Sequence, residues 1–399
     1  MKTARDSLDA LIIGAGMVGA CAALALARAG LRVAVVERHP SVAPQLSEPF
    51  DLRVVAIAPH AQRLLSKLGV WKDIAAVRAC AYTRMQVCDA LGGSSLSFAA
   101  ADYGWPALGH IVENRLVAGV LWRALESEPG VRLLVDDELH SVVVDEHGVR
   151  ARLASGVSLQ AKLLIGADGV DSKVREQLLI GVSGRSYGQS GLVAHLSLQN
   201  AAPQLAWQRF LPSGPLAFLP LEAHVSMVWT LPTERALSLQ EAPIEIFEAQ
   251  LQRASADQFG RIQLLSERAV FPLRMQIAQS FVAQRAILIG DAAHVVHPLA
   301  GQGVNLGFAD VSGLMDSIDA ARAAQRAPLT STALARWARE RRSEVTLAAQ
   351  AFDGLNRLYG VAEGPIVSAR AFGLSLVDRF LPLKRKLAER AAGIGAGQS

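Results

Sequence analysis

A stretch of 18 residues without a single charged side chain, Ala10 to Ala27, constrains this chain more than any other feature of its sequence. Its length approaches that of a membrane span or of a signal-peptide core. However, Ala10–Ile13 is a short apolar run that stops at a glycine, and Gly19–Ala29 has the small residues of a helix. Arg32–Val36 then predicts a second buried strand. The stretch is therefore predicted to belong to a strand–turn–helix–strand unit and not to a membrane span.

The turn of this unit carries the spacing Gly-x-Gly-x-x-Gly at Gly14, Gly16 and Gly19. Such glycines permit a tight turn, a close backbone approach to a pyrophosphate and close packing of helix on strand. Glu37 ends the second strand, where a carboxylate can accept hydrogen bonds from a ribose. We predict a dinucleotide site that includes these residues and the adjacent Arg38, although the motif alone does not separate FAD from NAD.

Composition excludes several other classes of protein. The chain has 399 residues, of which 51% are hydrophobic and 19% charged, which predicts two to three domains with a large core. The three cysteines, Cys21, Cys80 and Cys88, do not support a disulfide framework, and no Cys/His spacing indicates a metal site. The net charge of +4 without blocks of like charge does not indicate a nucleic-acid partner. We expect a cytoplasmic protein.

Periodicity divides the remainder of the chain into regions of different character. It predicts a helix over Arg53–Leu68, a hairpin over Thr83–Phe98 and a largely helical region after Gly303. In between, Pro/Gly turns separate predicted antiparallel strands at Leu192–Leu198, Ala206–Leu211 and His224–Leu231. Phe218 and Trp229 in this region are candidates either for a pocket wall or for ordinary core. The pattern predicts an α/β nucleotide-binding unit interrupted by β-rich insertions.

Two further glycine motifs each follow an apolar strand and place an aspartate between small residues. The central motif contains Asp168, and the C-terminal motif contains Gly290 and Asp291. On the residues alone, either aspartate could cap a helix or face a ligand. The C-terminal motif continues with Gly301-Gln302-Gly303 before a predicted helix, which is a second site receptive to an anion. Two such sites suit an extended ligand with charge at both ends.

The ordered trio GxGxxG, GADGxxSxxR and GDAAHxxxPLAGQGxNLG resembles the FAD-dependent aromatic hydroxylases typified by para-hydroxybenzoate hydroxylase. Segments 50–53, 110–115 and 298–307 are similar to the ubiquinone-biosynthesis branch of that family. The resemblance implies an α/β fold in which a Rossmann-type FAD-binding domain is interrupted by a β-rich substrate domain and followed by a helical C-terminal tail. It places the FAD-binding domain at 1–80, 99–185 and 270–330, the substrate domain at 81–98 and 186–269, and the helical region at 331–399.

The resemblance also implies roles for single residues. For cofactor binding it implies Gly14, Gly16 and Gly19 at the pyrophosphate, Glu37 at the ribose, Arg53 and Arg115 along the FAD, Asp168 at FAD and NAD(P)H, and Gly290 and Asp291 at the ribityl chain. For the surroundings of the flavin ring it implies Pro298, Gly301, Gln302, Gly303 and Asn305.

The activity implied is hydroxylation of a polyprenyl phenol or benzoquinol in ubiquinone biosynthesis, with FAD as cofactor, NADPH or NADH as transient co-substrate and dioxygen. Two alternatives stay open: a flavin hydroxylase acting on a small phenol, and a non-catalytic flavoprotein that serves as an assembly subunit with other ubiquinone-biosynthesis proteins.

The C-terminal tail has a distinctive charge pattern. Between Arg379 and Arg390 it holds five basic residues against the single acid Glu389, with leucines and a phenylalanine between them. A basic amphipathic helix of this kind can lie on an anionic membrane or bind a partner, and an ordinary solvated helix is the alternative. The prenylated substrate favours peripheral contact with the inner face of the membrane.

Overall fold

The computed structural model describes residues 8–45, 47–296 and 303–393. Its strands are β1 (Leu8–Ile13), β2 (Val33–Glu37), β3 (Val54–Ile57), β4 (Cys80–Tyr82), β5 (Arg84–Asp89), β6 (Ser95–Ala99), β7 (Gly109–Glu113), β8 (Val131–Val135), β9 (Leu139–Asp145), β10 (Gly148–Leu153), β11 (Ser158–Gly166), β12 (Val182–Leu198), β13 (Leu205–Leu211), β14 (Gly214–Pro220), β15 (Val225–Pro232), β16 (Ile262–Leu264), β17 (Ala269–Ala278), β18 (Val282–Ala283), β19 (Ala286–Leu288) and β20 (His294–Val295). Its α-helices are α1 (Met17–Arg28), α2 (Pro59–Lys67), α3 (Trp71–Val77), α4 (Asn114–Glu126), α5 (Lys173–Gln177), α6 (Thr233–Glu241), α7 (Ile244–Ala254), α8 (Gly303–Ala323), α9 (Ser331–Gly360), α10 (Pro365–Arg379) and α11 (Leu381–Ala391).

The first sheet is the nucleotide-binding sheet. Its central path runs β18-β19-β11-β1-β2-β8, and β1 pairs in parallel with both β11 and β2. The antiparallel strands β9 and β10 extend it beside β11. Helices α1 and α4 pack on the sheet and α8 packs on α1, and Leu11 and Ile12 of β1 are completely buried. The uncharged N-terminal stretch is thus a buried strand and helix, which confirms that prediction.

The second sheet is mainly antiparallel and has the order β20-β17-β12-β15-β14-β13-β5-β6, with β16 beside β12. One of its faces packs against α6 and α7 around Trp207, Phe218 and Trp229. The other face turns toward a three-stranded sheet, β3-β7-β4, and the C-terminal helices. The predicted hairpin is confirmed as β5 and β6. Because β12 and β17 both cross the predicted domain limits, those limits stay a prediction.

Three details of the predicted secondary structure are wrong. Arg53–Leu68 is not one helix, because 54–57 pairs with β7 and α2 begins only at Pro59, which suits a first helical turn. Strand β12 begins ten residues before Leu192, in a Gly/Ser-rich stretch that lacks an apolar signal. Strand β14 was absent from the prediction, since its terminal prolines resemble turn residues.

The C-terminal region is helical, as predicted, but its last segment is two helices and not one. Helix α10 is tied to β5 by a buried ion pair, in which Arg370 Nε lies 2.9 Å from Asp89 Oδ2. The ring of Tyr359 stacks on Phe210 at 4.1 Å between centroids. Lys384 points inward and donates to Asp378, so it is not part of the exposed basic surface. Within the described ranges, no helix has both the length and the apolar character needed to cross a bilayer.

Candidate functional site

The three glycine motifs meet at one end of the first sheet. Gly14 has a φ of +94°, and a Cβ atom there would lie only 2.5 Å from the carbonyl oxygen of Ala167 in the central motif. A Cβ atom on Gly307 of α8 would similarly lie 2.5 Å from Val18 of α1, and it would approach Gly290. Side chains are therefore excluded where the three motifs touch.

The start of α1 has the properties of a phosphate site. Gly16 occupies the position before the helix, and among the described residues no atom of a neighbouring segment lies within 4 Å of where its Cβ would be. No described side chain caps this end, and the first turn carries no acid. Its backbone N–H groups and the helix dipole are therefore free to face an anion, as a pyrophosphate requires. Gly19 faces inward against Gly14, where it permits close packing of helix on strand.

Glu37 is held rigidly at the end of β2. Its Oε2 accepts a hydrogen bond from the Ala15 N–H at 2.5 Å, and Oε1 accepts one from the His39 N–H at 2.9 Å. The carboxylate is thereby fixed beside the phosphate site and keeps lone pairs for ribose hydroxyls. Arg38 instead turns toward Glu138, at 3.4 Å between Nη1 and Oε2. Its cofactor contact stays a prediction.

Asp168 acts as a helix cap in this structure. Its Oδ1 accepts from the Ser172 hydroxyl at 2.5 Å, and its Oδ2 accepts from the Val174 N–H at 3.0 Å, at the start of α5. Arg175 of the same motif donates to the carbonyl of Ala292 at 2.8 Å and so joins the central motif to the C-terminal one. Of the two roles left open by the sequence, helix capping is thus the one that the Asp168 carboxylate has in this structure. Its contact with FAD or NAD(P)H stays a prediction.

Asp291 lies near Arg53 and Arg274, whose charges act on its carboxylate, and we call the space beside these three residues the cleft. The side chain is open to the cleft, but the surrounding protein removes much of its hydration and raises its pKa, while His294 and the two arginines oppose that shift. The guanidinium of Arg53 lies 5.4 Å from the ring centroid of Phe271, on the second sheet. The cleft is thus formed between the two large sheets, which is where ligands commonly bind.

Arg115 is exposed at the start of α4. Its guanidinium reaches Glu48 only at 3.8 Å. An exposed pair at this distance restrains the side chain weakly, so Arg115 is free to reorient. Its contact with FAD stays a prediction.

The sequence analysis missed a buried network behind the C-terminal motif. Asp310 of α8 is completely buried, and its Oδ2 lies 2.7 Å from His294 Nε2 and accepts from the Gly290 N–H at 3.0 Å. Its Oδ1 accepts from Arg341 Nε at 2.9 Å. His294 is therefore structural, and Asp310 and Arg341 hold the motif against α8 and α9. The only sequence signal was an acid on an otherwise apolar helical face.

Asn305 connects the start of α8 to β3 and to the residue before α2. Its side chain accepts from the Ala58 N–H at 2.9 Å and donates to the Ala56 carbonyl at 2.7 Å. The side chain is thus used within the protein, and the Asn305 carbonyl oxygen lies 3.1 Å from His60 Nε2. Gly303 begins α8 as expected of an anion-receptive helix start. Of the other predicted flavin-ring residues, three lie outside the described residues: Pro298, Gly301 and Gln302.

A large groove lies elsewhere in the described part of the chain. It has a volume of about 1340 Å³ and runs between α2, α8 and α9. Arg28, at the far end of α1 from Gly16, and the exposed Asp319 are among its mixed charged residues. None of the glycine motifs contributes its signature residues to this groove, so we do not assign it to the active site.

Together, a bare helix start for a pyrophosphate, a fixed carboxylate for a ribose and a second helix, α8, whose first turns pack against α1, fit an extended dinucleotide such as FAD. These features define the class of dinucleotide-binding α/β proteins. A family model described as "FAD binding domain" matches residues 7–349. The chain therefore belongs to the FAD-binding domain family.

Relatives with named activities indicate which kind of FAD-binding protein this chain is similar to. The chain is 36% identical to the ubiquinone hydroxylase UbiL of Rhodospirillum rubrum, over 96% of this chain and 89% of that one. It is 35% identical to the 3-demethoxyubiquinol 3-hydroxylase of Escherichia coli, over 96% and 98% of the two chains. Among solved structures, pqsL, a probable FAD-dependent monooxygenase from Pseudomonas aeruginosa, matches with a TM-score of 0.77 and 25% identity, over 92% of this chain and 100% of that one. This protein is an FAD-dependent monooxygenase, as the resemblance implied.

Proposed function

We propose that this enzyme hydroxylates the ring of a polyprenyl phenol or benzoquinol in ubiquinone biosynthesis, with NADPH or NADH as electron donor. The observation that carries the proposal is the similarity, over nearly the whole chain, to two hydroxylases named for ubiquinone-pathway rings. When bound, FAD supplies the redox chemistry, and the protein supplies binding, orientation and exclusion of water.

The second sheet offers a suitable wall for an aromatic ring. On β14 and β15, Phe218 and Trp229 belong to the core beside α6 and α7. Side chains alternate along a strand, so Ala217, Leu219 and Val228 lie on the opposite face, toward the FAD-binding side. Buried polar residues share that face, namely His195, Gln208, Ser226 and Thr230. A mainly apolar surface with few polar groups is typical of small-molecule sites.

Quinone analysis in the source organism tests this function. Deleting the protein should cause accumulation of a prenylated precursor that lacks one ring oxygen, detected by mass spectrometry of lipid extracts, and re-expression should remove it. In parallel, the purified holoenzyme should oxidise NADPH or NADH faster in the presence of a prenylated phenol. An unchanged quinone profile together with no stimulation by any phenol would favour the non-catalytic alternative.

We further propose that the C-terminal helices contact an anionic membrane. Exposed apolar side chains recur every four residues along α10 and just after its end, at Phe372, Leu376 and Phe380. On α11, Leu383 and Leu387 are also exposed. Four exposed basic residues flank these apolar residues, namely Arg379, Arg385, Lys386 and Arg390. An apolar strip with basic edges matches a surface of anionic headgroups, from which a prenylated substrate can be taken up.

Replacing Arg385 and Lys386 by glutamine should weaken binding to anionic vesicles about tenfold. Each base near an anionic surface contributes about 1 kcal/mol to binding. Because Arg385 already pairs with Glu389, we expect the two substitutions together to remove less than two such contributions. Co-sedimentation with phosphatidylserine-containing vesicles at low and high salt measures the effect, and screening should reduce it. Lys173→Gln, far from these helices, is the matched control. Equal sedimentation of all three proteins would contradict the membrane contact.

A further inference from the structure

Two buried polar side chains lie side by side on the cleft-facing side of the second sheet. His195 of β12 is 4% exposed and Ser226 of β15 is 0% exposed. His195 Nε2 and Ser226 Oγ have no hydrogen-bond partner among the described residues. Burial of such groups without a partner is costly, and this pair therefore points to a ligand that supplies the missing hydrogen bonds.

The sheet register places the two side chains in contact range of one ligand atom. His195 is directly opposite Ser226 in the antiparallel ladder. The backbone N–H of His195 donates to Ser266 and its carbonyl accepts from Leu265, both away from β15. His195 and Ser226 thus form a non-hydrogen-bonded pair, in which facing side chains are closest, with Cα atoms about 4.5 Å apart.

The tautomer of His195 follows from its neighbours. The backbone of Asp51 lies beside the ring and acts to raise the ring's pKa, as a carbonyl that faces a ring N–H does. The Asp51 N–H donates to Glu113, so it is the Asp51 carbonyl that faces the ring. Because Nε2 has no partner within the described chain, we assign the ring proton to Nδ1, on the Asp51 side. Nε2 is therefore a bare acceptor in the neutral ring.

The surroundings keep the ring neutral. Burial and, to a smaller extent, the neighbouring His224, 5.0 Å away between ring centroids, together lower the pKa of His195 to about 4, while Asp51 opposes the shift. Glu222 and Arg78 act on His224 in opposite directions. None of these groups supplies a strong enough charge to protonate His195 at neutral pH, so Nε2 accepts hydrogen bonds there.

The pair also lies within reach of the FAD-binding side. Phe50 contacts the His195 ring edge-on at 6.3 Å between centroids, and three residues later Arg53 lies over Phe271 near Asp291. Three residues of extended chain span at most about 11 Å. The segment 50–53 therefore connects the surroundings of His195 to those of Arg53 and Asp291.

We propose that His195 and Ser226 bind one oxygen of the substrate ring. His195 Nε2 accepts the hydrogen bond of a ring hydroxyl, and the Ser226 hydroxyl donates to the same oxygen. This inference rests on the proposed function and adds to it the group that orients the ring. Full transfer of a phenolic proton to Nε2 would be unfavourable by about six orders of magnitude, given an ordinary phenol pKa near 10. His195 is therefore an acceptor that orients and polarises the hydroxyl.

Binding of a matched pair of ligands to the oxidised holoenzyme tests this role without turnover. The probes are 2-geranylphenol and its methyl ether, and the signal is the change in flavin absorbance on titration. We expect the wild-type protein to bind the phenol about tenfold more tightly than the ether, which cannot donate a hydrogen bond. His195→Leu should remove this preference and leave the affinity for the ether within about twofold of the wild-type value.

Two further variants separate this role from a structural one. Ser226→Ala, a small change that preserves packing, should weaken the binding of both probes about threefold, because the ether oxygen also accepts from this hydroxyl, and it serves if His195→Leu fails to retain FAD. Ser255→Ala, a buried serine at the end of α7 on the other side of the sheet, should leave both affinities unchanged. Retention of the full preference by His195→Leu, or unchanged affinity of Ser226→Ala for both probes, would overturn the inference. Failure of the wild-type protein to bind either probe would instead contradict the proposed prenyl-phenol substrate.

Discussion

Replacing Asp310 by alanine is expected to lower the free energy of unfolding by about 3–5 kcal/mol. The side chain is completely buried, and its loss would leave Arg341 as an uncompensated buried charge and remove the partners of His294 and of the Gly290 N–H. The C-terminal glycine motif would then lose its attachment to α8, so we also expect reduced FAD content. Chemical denaturation followed by tryptophan fluorescence measures the first effect, and the flavin-to-protein absorbance ratio measures the second.

Asp316, which is exposed on the same helix, provides the control for Asp310. Asp316→Ala should change stability by less than about 0.5 kcal/mol. Although burial acts to raise the pKa of Asp310, His294, Arg341 and the Gly290 N–H outweigh it and lower the pKa below the ordinary aspartate value. The contribution of Asp310 is therefore complete above about pH 4 and is lost as the pH falls through the lowered value. Equal stability of the two variants at pH 7 would contradict the network.

The parts of this protein that were predictable from sequence are those specified by local chemistry. Gly14 needs a positive φ, Gly16 needs open space and Glu37 ends a buried strand, and each requirement shows in the spacing of a few neighbouring residues. The strand predicted at Ala206–Leu211 agrees with β13 to within one residue because Pro/Gly turns bound it. The family resemblance then extended these local signals to the whole fold.

The parts that were missed depend on contacts distant in sequence. Asp310 and Arg341 are 31 residues apart, and each resembles an ordinary helix residue until both helices pack on the C-terminal motif. Asp89 and Arg370 are separated by 281 residues. His195 could not be distinguished from a core histidine, because the face of a strand is known only once its register is known. Tertiary packing and not local pattern decides the role of such residues.

Replacing Asp291 by alanine is expected to leave the fold intact and to weaken FAD binding about 10- to 100-fold. The side chain is open to the cleft, so its removal creates no cavity, and the Asp310 network that holds the motif is unaffected. In the family that this chain resembles, the equivalent carboxylate binds the ribityl chain, and one hydrogen bond to a charged group contributes about 1.5–3 kcal/mol.

Titration of the apoprotein with FAD, followed by quenching of flavin fluorescence, measures this effect of Asp291. Asp291→Asn keeps an acceptor oxygen but no charge, and it should fall between wild type and Asp291→Ala because hydrogen bonds to ionised groups are about twice as strong as neutral ones. Asp316→Ala, on the solvent side of α8, should bind FAD as the wild-type protein does. Because the surrounding protein raises the pKa of Asp291, FAD binding by the wild-type protein should begin to weaken at a higher pH than an ordinary aspartate would give, and Asp291→Asn should lack this pH dependence. An affinity of Asp291→Ala equal to that of wild type at neutral pH would remove this carboxylate from the FAD site, whereas a loss accompanied by unfolding would assign it to the Asp310 network instead.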